Sequence, residues 1–328
     1  MKKIMNKPED IVDEMLQGMS FAHPELSVWA EDRVVARKIR KDKVGVVSGG
    51  GSGHEPAHAG FVGTGMLDAA VAGNVFASPS PDQMLKGIQE ADSGQGVLFI
   101  LKNYTGDLMN FSIAKELAEM EDINVDSVVV KDDVAVADNA FSAGRRGIAG
   151  TVLVHKVTGA KAEQGASLAD VKRVAEKAIR NVRTIGCSFS SCTLPGLDKP
   201  GFTVLEDEIE VGMGIHGEPG ISKCEMKSAQ ELAQILLGKL FENYNYEGKE
   251  VALLINGLGG TPLMELYVLA NEIEKTVKKR NIYICKTFVG NYMTSLEMAG
   301  CSISMMELDA ELKELIKAPC STPGLTQF

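Results

Sequence analysis

The chain has 328 residues, 45% of them hydrophobic and 24% charged, a balance typical of a soluble globular protein long enough for two domains. Its 34 basic residues face 44 acidic ones, and the net charge of −10 argues against nonspecific binding to nucleic acid or an anionic membrane. No apolar run approaches the ~20 residues that cross a bilayer, and MKKIMNKPED turns acidic before any signal-peptide core develops. The six cysteines (Cys187, Cys192, Cys224, Cys285, Cys301, Cys320) form no CxxC pair, so reduced thiols and a cytoplasmic setting are expected.

In chain order, VGVVS (44–48) is the first of several β-branched runs that end in polar, glycine-containing loops. A strand gives way at VFASPSP, with Ser80 as the expected cap of the helical segment PDQMLKGIQEA. GVLFILK (96–102) runs into NYTGD and the helical MNFSIAKELAEM, VDSVVV (125–130) runs into KDD, and SLADVKRVAEKAIRNV has helical period. CTLPGLDKPGF (192–202), with two prolines and two glycines, reads as a linker. The division is placed near residue 185, giving domains 1–185 and 186–328. FTVLEDEIEVGMGIHG alternates enough to predict antiparallel structure, with a hairpin turning at Glu206-Asp207. Ser228 opens the capping-box spacing SAQE, and VALLIN (251–256) leads to Thr261-Pro262, a predicted N-cap and first helical residue. The alternation predicts an α/β fold of two domains, each a central sheet with flanking helices, the second richer in antiparallel β-structure; the strands are expected to be joined by crossover helices and to run parallel.

Three chemistries compete for GGGSGHEPAHAG (49–60). A nucleotide loop needs Gly-Lys-Ser/Thr after its glycines, and Gly53-His54-Glu55 stands there instead. HEPAH matches H-E-x-x-H, but a zinc site needs both histidines on one helix. Pro56 predicts a helix that starts at Pro56, with His58 inside and His54 outside, and no further ligands follow, so no metal is expected. What is left is His54 at the carboxyl end of a strand, on a glycine turn, facing the crevice where open α/β sheets bind ligands. Lys102 and Asp107 in LKNYTGD and Ser78 in VFASPSP sit at other strand ends. His54 or Asp107 can accept a hydroxyl proton there, and Lys102 can offset developing negative charge. His216, flanked by glycines in VGMGIHGEPG, is a second candidate, and HGEP (216–219) echoes GHEP (53–56). His58 is read as a supporting group, and His23 and His155 as structural. Asp132-Asp133 and Arg145-Arg146 read as a solvated charge cluster, with substrate or subunit contact as the alternative.

SGGGSGHEP, LKNYTGD, DDVAV with AGRRGIAGT, GIHGEPG and LGGTPLMELY occur in that order along the whole chain. Together they resemble the dihydroxyacetone kinase K subunits of the bacterial phosphotransferase-linked type. The resemblance implies that His216 holds a dihydroxyacetone carbonyl as a hemiaminal, that His54 and Asp107 activate the hydroxyl to be phosphorylated, and that Gly51, Ser52, Gly53, Ser78 and Lys102 bind substrate. It also implies a homodimer whose ADP and magnesium reside on a separate L subunit, recharged by a phosphohistidine M subunit. The chain's end at LTQF and its lack of a nucleotide loop are expected for that separate-subunit form. The rival the resemblance admits is a ketone-binding paralogue that serves as coactivator of a transcription factor.

Overall fold

Strands without polar alternation need cover on both faces. Val46, Val47, Leu98, Phe99 and Ile100 have no exposed surface, and helices flank them on either side. The computed structural model describes residues 2–136, 144–201 and 203–328; Ala143 of AGRRGIAGT and Phe202 of the linker lie outside them. After α1 (Ile11–Ala22) come β1 (Leu26–Trp29), β2 (Val34–Arg37), β3 (Gly45–Ser52), β4 (Ala69–Val75), α2 (Pro81–Ala91), β5 (Val97–Lys102), α3 (Thr105–Met120) and β6 (Val125–Val130). The helices α4 (Thr151–Glu163) and α5 (Leu168–Asn181) follow, and then β7 (Val182–Ser188), β8 (Glu208–Val211), β9 (Ser222–Glu225) and α6 (Ala229–Asn243). The chain finishes with β10 (Glu250–Gly257), α7 (Leu263–Lys279), β11 (Tyr283–Gly290), β12 (Gly300–Glu307), α8 (Ala310–Lys317) and the short pair β13 (Cys320–Ser321) and β14 (Thr326–Gln327).

Two six-stranded sheets result, ordered β1-β2-β4-β3-β5-β6 and β11-β10-β12-β7-β8-β9. In the first, β4, β3, β5 and β6 are parallel, as the crossover pattern predicts, and the β1–β2 hairpin joins antiparallel to β4. In the second only β10 and β11 are parallel, because β12 returns through the loop 291–299 without a crossover helix. Helices α2 and α3 cover the outer face of the first sheet through Met84, Ile88 and Phe111, and α6 and α7 cover the second through Leu236, Leu240, Leu269 and Ile273. Between the sheets lie α4, α5 and α8. Their Val154, Val157, Val174, Leu312 and Leu315 pack in one cluster with Val46 and Leu98 of the first sheet and Leu254 and Met306 of the second.

Local signals place several helices well. Ser80 and Ser228 both form reciprocal capping boxes, with Gln83 and Glu231 respectively. Four expectations need correction. The glycine run is strand rather than turn: β3 continues through Ser52, because bare Gly49 and Gly51 let Val71 O and Ala77 N approach within 2.7 and 2.6 Å of where a Cβ would stand. No α-helix starts at Pro56; a single 3₁₀ turn over Ala59–Phe61 is followed by Gly63 and Gly65 at positive φ, which end any winding. The hairpin does not turn at Glu206-Asp207. Its strands are β8 and β9, and its loop, 212–221, uses Gly212 and Gly217 at positive φ. Thr261 does not cap α7. Its hydroxyl is tied to Gly300 in the neighbouring strand, and Pro262 stands at the cap position.

The middle layer is tight enough to discriminate between glycines. A Cβ on Gly159 of α4 would overlap the Met66 backbone, whereas one on Gly238 of α6 would meet nothing within 4 Å. Gly159→Ala is therefore expected to cost ~1–3 kcal/mol of unfolding free energy. Gly238→Ala should add ~0.5–1 kcal/mol. Chemical denaturation of the two variants beside the wild type measures both.

Candidate active site

Gly53, at φ +99°, ends β3 and swings His54 toward the second sheet. The loop 291–299 fastens it there. Thr294 N–H donates to His54 C=O at 3.1 Å, Leu296 N–H to Gly53 C=O at 2.7 Å, and the Thr294 hydroxyl to Glu55 C=O at 2.9 Å. The His54 ring is fully buried, stacks on Phe76 with centroids 5.1 Å apart, and places Nδ1 2.8 Å from Thr294 C=O. A carbonyl oxygen only accepts, so Nδ1 carries the hydrogen. Burial, then the Lys102 and His216 charges, push the His54 pKa well below the ordinary histidine value, so this ring is neutral and its Nε2 holds a lone pair.

His216 arrives on the β8–β9 loop. Its backbone N–H and its Nδ1 both meet the Glu218 carboxylate, at 2.9 and 3.0 Å. Gly214 must lack a side chain, because a Cβ there would overlap that carboxylate. Burial opposes the Glu218 charge, but hydrogen bonds and charge from His216 outweigh it and hold the pKa down to about 2. Facing an anion, Nδ1 is again the donor. His216 Nε2 then lies 3.1 Å from His54 Nε2. Two lone pairs do not attract at that distance, so a hydrogen shared between the two Nε2 atoms is what makes the contact favourable.

Lys102 ends β5, buried beneath the histidines, with Nζ 5.6 Å from the Tyr104 ring centroid. Burial lowers its pKa, while Asp107, Glu218 and Asp132 pull it back up. Asp107 is not in a loop. It stands in the first turn of α3, which begins at Thr105, earlier than the helical segment that starts at Met109. Burial raises its pKa, while the Lys102 charge and a hydrogen bond with the Ser78 hydroxyl act the other way. Gly106 leaves the space for that hydroxyl, since a Cβ there would sit 2.7 Å from Ser78 Oγ. The structure thus gathers His54, His216, Lys102, Asp107 and Ser78 at the strand ends of the first sheet. Ser52 and Gly53 contribute differently. The Ser52 hydroxyl is spent on Gly73 C=O at 2.7 Å, and Gly53 N–H points to the Glu55 carboxylate at 3.1 Å, so both border the site through backbone. Gly51 lies against Ala77 in the same wall.

The HEPAH histidines part company. His54 faces His216, while His58 Nδ1 meets the Ser48 hydroxyl at 3.3 Å, so the two do not converge on one point. Among the described residues no group of three or more His, Cys, Asp or Glu side chains is placed to hold a metal. The reading of Asp132-Asp133 and Arg145-Arg146 as a solvated cluster is overturned. Asp132 is buried and accepts from Ile148 and Gly150 N–H at 2.8 Å each. Arg146 pairs with Asp133 at 2.7 Å and donates to Gly212 C=O at 2.8 Å, bracing the loop that carries His216. Sequence reasoning missed Glu218, Phe76, Tyr104 and Thr294. The GHEP/HGEP echo did carry a signal for Glu218, because in both copies the glutamate folds back onto the N–H two residues before it. Tyr104 and Phe76 set their rings 4.7 and 5.3 Å from His216, a contact no spacing announces.

The Dak1 domain family model matches residues 17–324. This chain belongs to the Dak1 family. It is 51% identical to the PTS-dependent dihydroxyacetone kinase, dihydroxyacetone-binding subunit DhaK, of Lactococcus lactis, over 94% of each chain. It is 39% identical to the PEP-dependent counterpart of Escherichia coli over 99% of each. Among solved structures, the dihydroxyacetone kinase of C. freundii superposes with a TM-score of 0.92 at 36% identity, over 99% of this chain and 60% of that one. A dihydroxyacetone kinase operon co-activator matches with a TM-score of 0.92 at 35% identity, over 96% of this chain and 98% of that one. The two six-stranded mixed sheets with flanking helices are thus the Dak1 architecture, and no helix among the described residues is long and apolar enough to cross a membrane.

Two outcomes follow from the histidine chemistry of this Dak1 chain. Glu218→Gln keeps an acceptor at His216 Nδ1 but removes the charge that favours the shared hydrogen. Nitrogen-15 NMR at neutral pH should then show both rings neutral, where the wild type shows one proton between them. Elsewhere, burial pushes the His155 pKa down to about 3. The unfolded chain takes up a proton near 6.5, so this site's contribution to stability is whole above 6.5 and is lost progressively as pH falls toward 3. His155→Phe should flatten the acid limb of the stability–pH curve by up to ~1.4 kcal/mol per pH unit in that window, read from denaturation at pH 7 and pH 5.

Proposed function

We propose that this chain is the dihydroxyacetone-binding subunit of a phosphoenolpyruvate-dependent dihydroxyacetone kinase, working in the cytoplasm as a homodimer divided near residue 185 into two domains. The observation that carries the reading is the His54–His216 contact, with Lys102 and Asp107 buried behind it. The 51% identity to a subunit of that name supports it. The His216 Nε2 electron pair bonds to the ketone carbon, the carbonyl π pair moves to oxygen, and the proton shared by the histidines passes to that oxygen. The hemiaminal leaves His216 cationic opposite Glu218, which is already placed to balance it, and leaves His54 Nε2 with a free electron pair. His54 or Asp107 then receives the proton of the substrate's terminal hydroxyl as it attacks phosphorus, while Lys102 offsets the negative charge. Covalent capture selects a carbonyl compound over a plain polyol and orients the hydroxyl. Gly51, Ser52 and Gly53 wall the substrate through backbone, and Ser78 steadies Asp107. The phosphoryl group comes from ATP, which leaves as ADP; that ADP would stay with magnesium on a separate L subunit, where a phosphohistidine M subunit would recharge it to ATP.

The resemblance to an operon co-activator favours one rival, a ketone-binding regulator without turnover. Incubation with dihydroxyacetone, the ADP-carrying subunit, the phosphohistidine carriers and phosphoenolpyruvate separates the two by triose phosphate formation. The kinase reading expects turnover in which Asp107→Asn lowers kcat by ~10²–10⁴-fold. His216→Ala is expected to raise KM by at least ~10-fold through loss of capture. Ketone adducts seen by mass spectrometry without turnover assign the chain to regulation instead, and tight ketone binding retained in His216→Ala rejects the hemiaminal.

A further inference from the structure

Beneath the site lies a second pair of histidines that the proposed reaction does not use. His58 and His155 are buried with ring centroids 5.2 Å apart, and Thr151, His155 and Thr158 face the same way on α4 at i, i+4 and i+7. His58 Nε2, both His155 nitrogens and both threonine hydroxyls have no hydrogen-bond partner among the described residues. The tautomer of His58 follows from its other nitrogen. The Ser48 hydroxyl gives its one hydrogen to Ile100 C=O at 2.7 Å, so at Nδ1, 3.3 Å away, it can only accept. Nδ1 therefore carries the hydrogen and Nε2 the lone pair.

That lone pair lies close to the head of Lys102. A Cβ built on Gly50 would stand 3.0 Å from Lys102 Nζ, 3.2 Å from Lys102 Cε and 3.6 Å from His58 Nε2, so the three groups converge on the space the glycine leaves open. A neutral imidazole lone pair facing an ammonium is favourable, and a buried ammonium needs an acceptor. Burial first, and the Lys102 charge second, keep His58 unprotonated. His155 packs edge-on against the His58 ring, and Phe61 packs against His155 with centroids 6.2 Å apart, which holds the acceptor in line.

We propose that His58 is the positioning residue for Lys102: a Lys102 N–H donates to one water in the space over Gly50, that water donates to His58 Nε2, and the bridge fixes where the ammonium stands in the substrate pocket. This rests on the role given to Lys102 above, and it deepens that role by naming what aims the charge. Gly50 belongs to the device, since any side chain there would push Nζ aside. Its Cβ would be tight only against the far end of a flexible lysine, with His58 Nε2 at ordinary contact distance, so Gly50→Ala perturbs Lys102 without overlapping backbone.

Nitrogen-15 NMR of the ligand-free chain should find the His58 proton on Nδ1. His58→Leu and Gly50→Ala should each shift the Lys102 Cε resonance and lower kcat by ~10- to 100-fold while KM for dihydroxyacetone stays within about twofold. His58→Asn, which returns an acceptor oxygen, should restore the resonance and recover kcat to within about fivefold of wild type. A proton on Nε2 overturns the proposal, as does a Lys102 resonance unchanged in both His58→Leu and Gly50→Ala. If the wild type itself gives no turnover with the partner proteins, the kinase reading fails, and the tautomer and the lysine resonance still decide the role of His58.

Discussion

Two imidazole nitrogens 3.1 Å apart need a proton between them, and the architecture around the site follows from supplying it. His54 comes from the first sheet and His216 from a loop of the second. Each ring must be held by its far nitrogen, one by a neutral carbonyl and the other by a carboxylate. That asymmetry decides where the charge sits: Thr294 leaves its partner ring neutral, and Glu218 welcomes a cation. It also demands that the sheets keep register to within a few tenths of an ångström. The shared middle layer of α4, α5 and α8 answers that demand, because one packed cluster contacts both sheets. The loop 291–299 adds hydrogen bonds to Gly53, His54 and Glu55, so the second sheet clasps the strand end that bears the first histidine.

The same constraint explains the glycines of β3. A functional strand end at the centre of a sheet is crowded by its neighbours, and side chains there would hold them off. Gly49 admits the Val71 backbone, Gly50 the Lys102 head and Gly51 the Ala77 backbone. Read as a loop, the run suggests a phosphate cradle. Read as a strand, it leaves room beside the sheet for the head of a lysine from β5, next to the histidines that follow β3.

Much of this was legible residue by residue, and the failures have physical causes. PDQMLKGIQEA is the whole of α2 because it is amphipathic and its start carries both the Ser80 capping box and a proline at the first helical position. Helix α4 carries no such stripe. Every residue from Thr151 to Ala160 is buried, so the sequence shows no period to find, and its placement between two sheets is a tertiary fact. The hairpin bearing His216 was misplaced because alternation begins before β8 does, while the turn is set by Gly212 and Gly217, whose backbone angles leave no mark on periodicity. The chemistry-bearing residues of the site, His54, Lys102, Asp107 and His216, could be singled out as strand-end or glycine-flanked polar groups. Glu218 and Thr294 could not be given roles, because each acts through a ring whose direction only the folded chain determines. The buried Asp132 and Asp133, with the half-buried Arg146, mislead in the opposite sense: adjacent charged residues read as surface until the donors around the carboxylates are seen.

Burial pushes His54, Lys102 and Asp107 alike toward their uncharged forms, and what differs is what each finds in compensation. Lys102 and Asp107 each feel the other's opposite charge, which works against that push. His54 has only a carbonyl partner there, and the Lys102 charge adds to burial in keeping it neutral. On the proposed mechanism this inequality orders the steps. While the proton sits between the histidines, neither ring can act, since His216 has no free pair and His54 already accepts. A ketone oxygen that takes the proton releases both at once: His216 becomes bonded to carbon and His54 becomes a base beside Asp107. Capture and activation are then one event. A compound without a carbonyl cannot remove the proton, and it meets a site in which the base is still occupied. On that mechanism, selectivity against simple polyols would arise from the hydrogen held between the histidines as well as from the covalent bond itself.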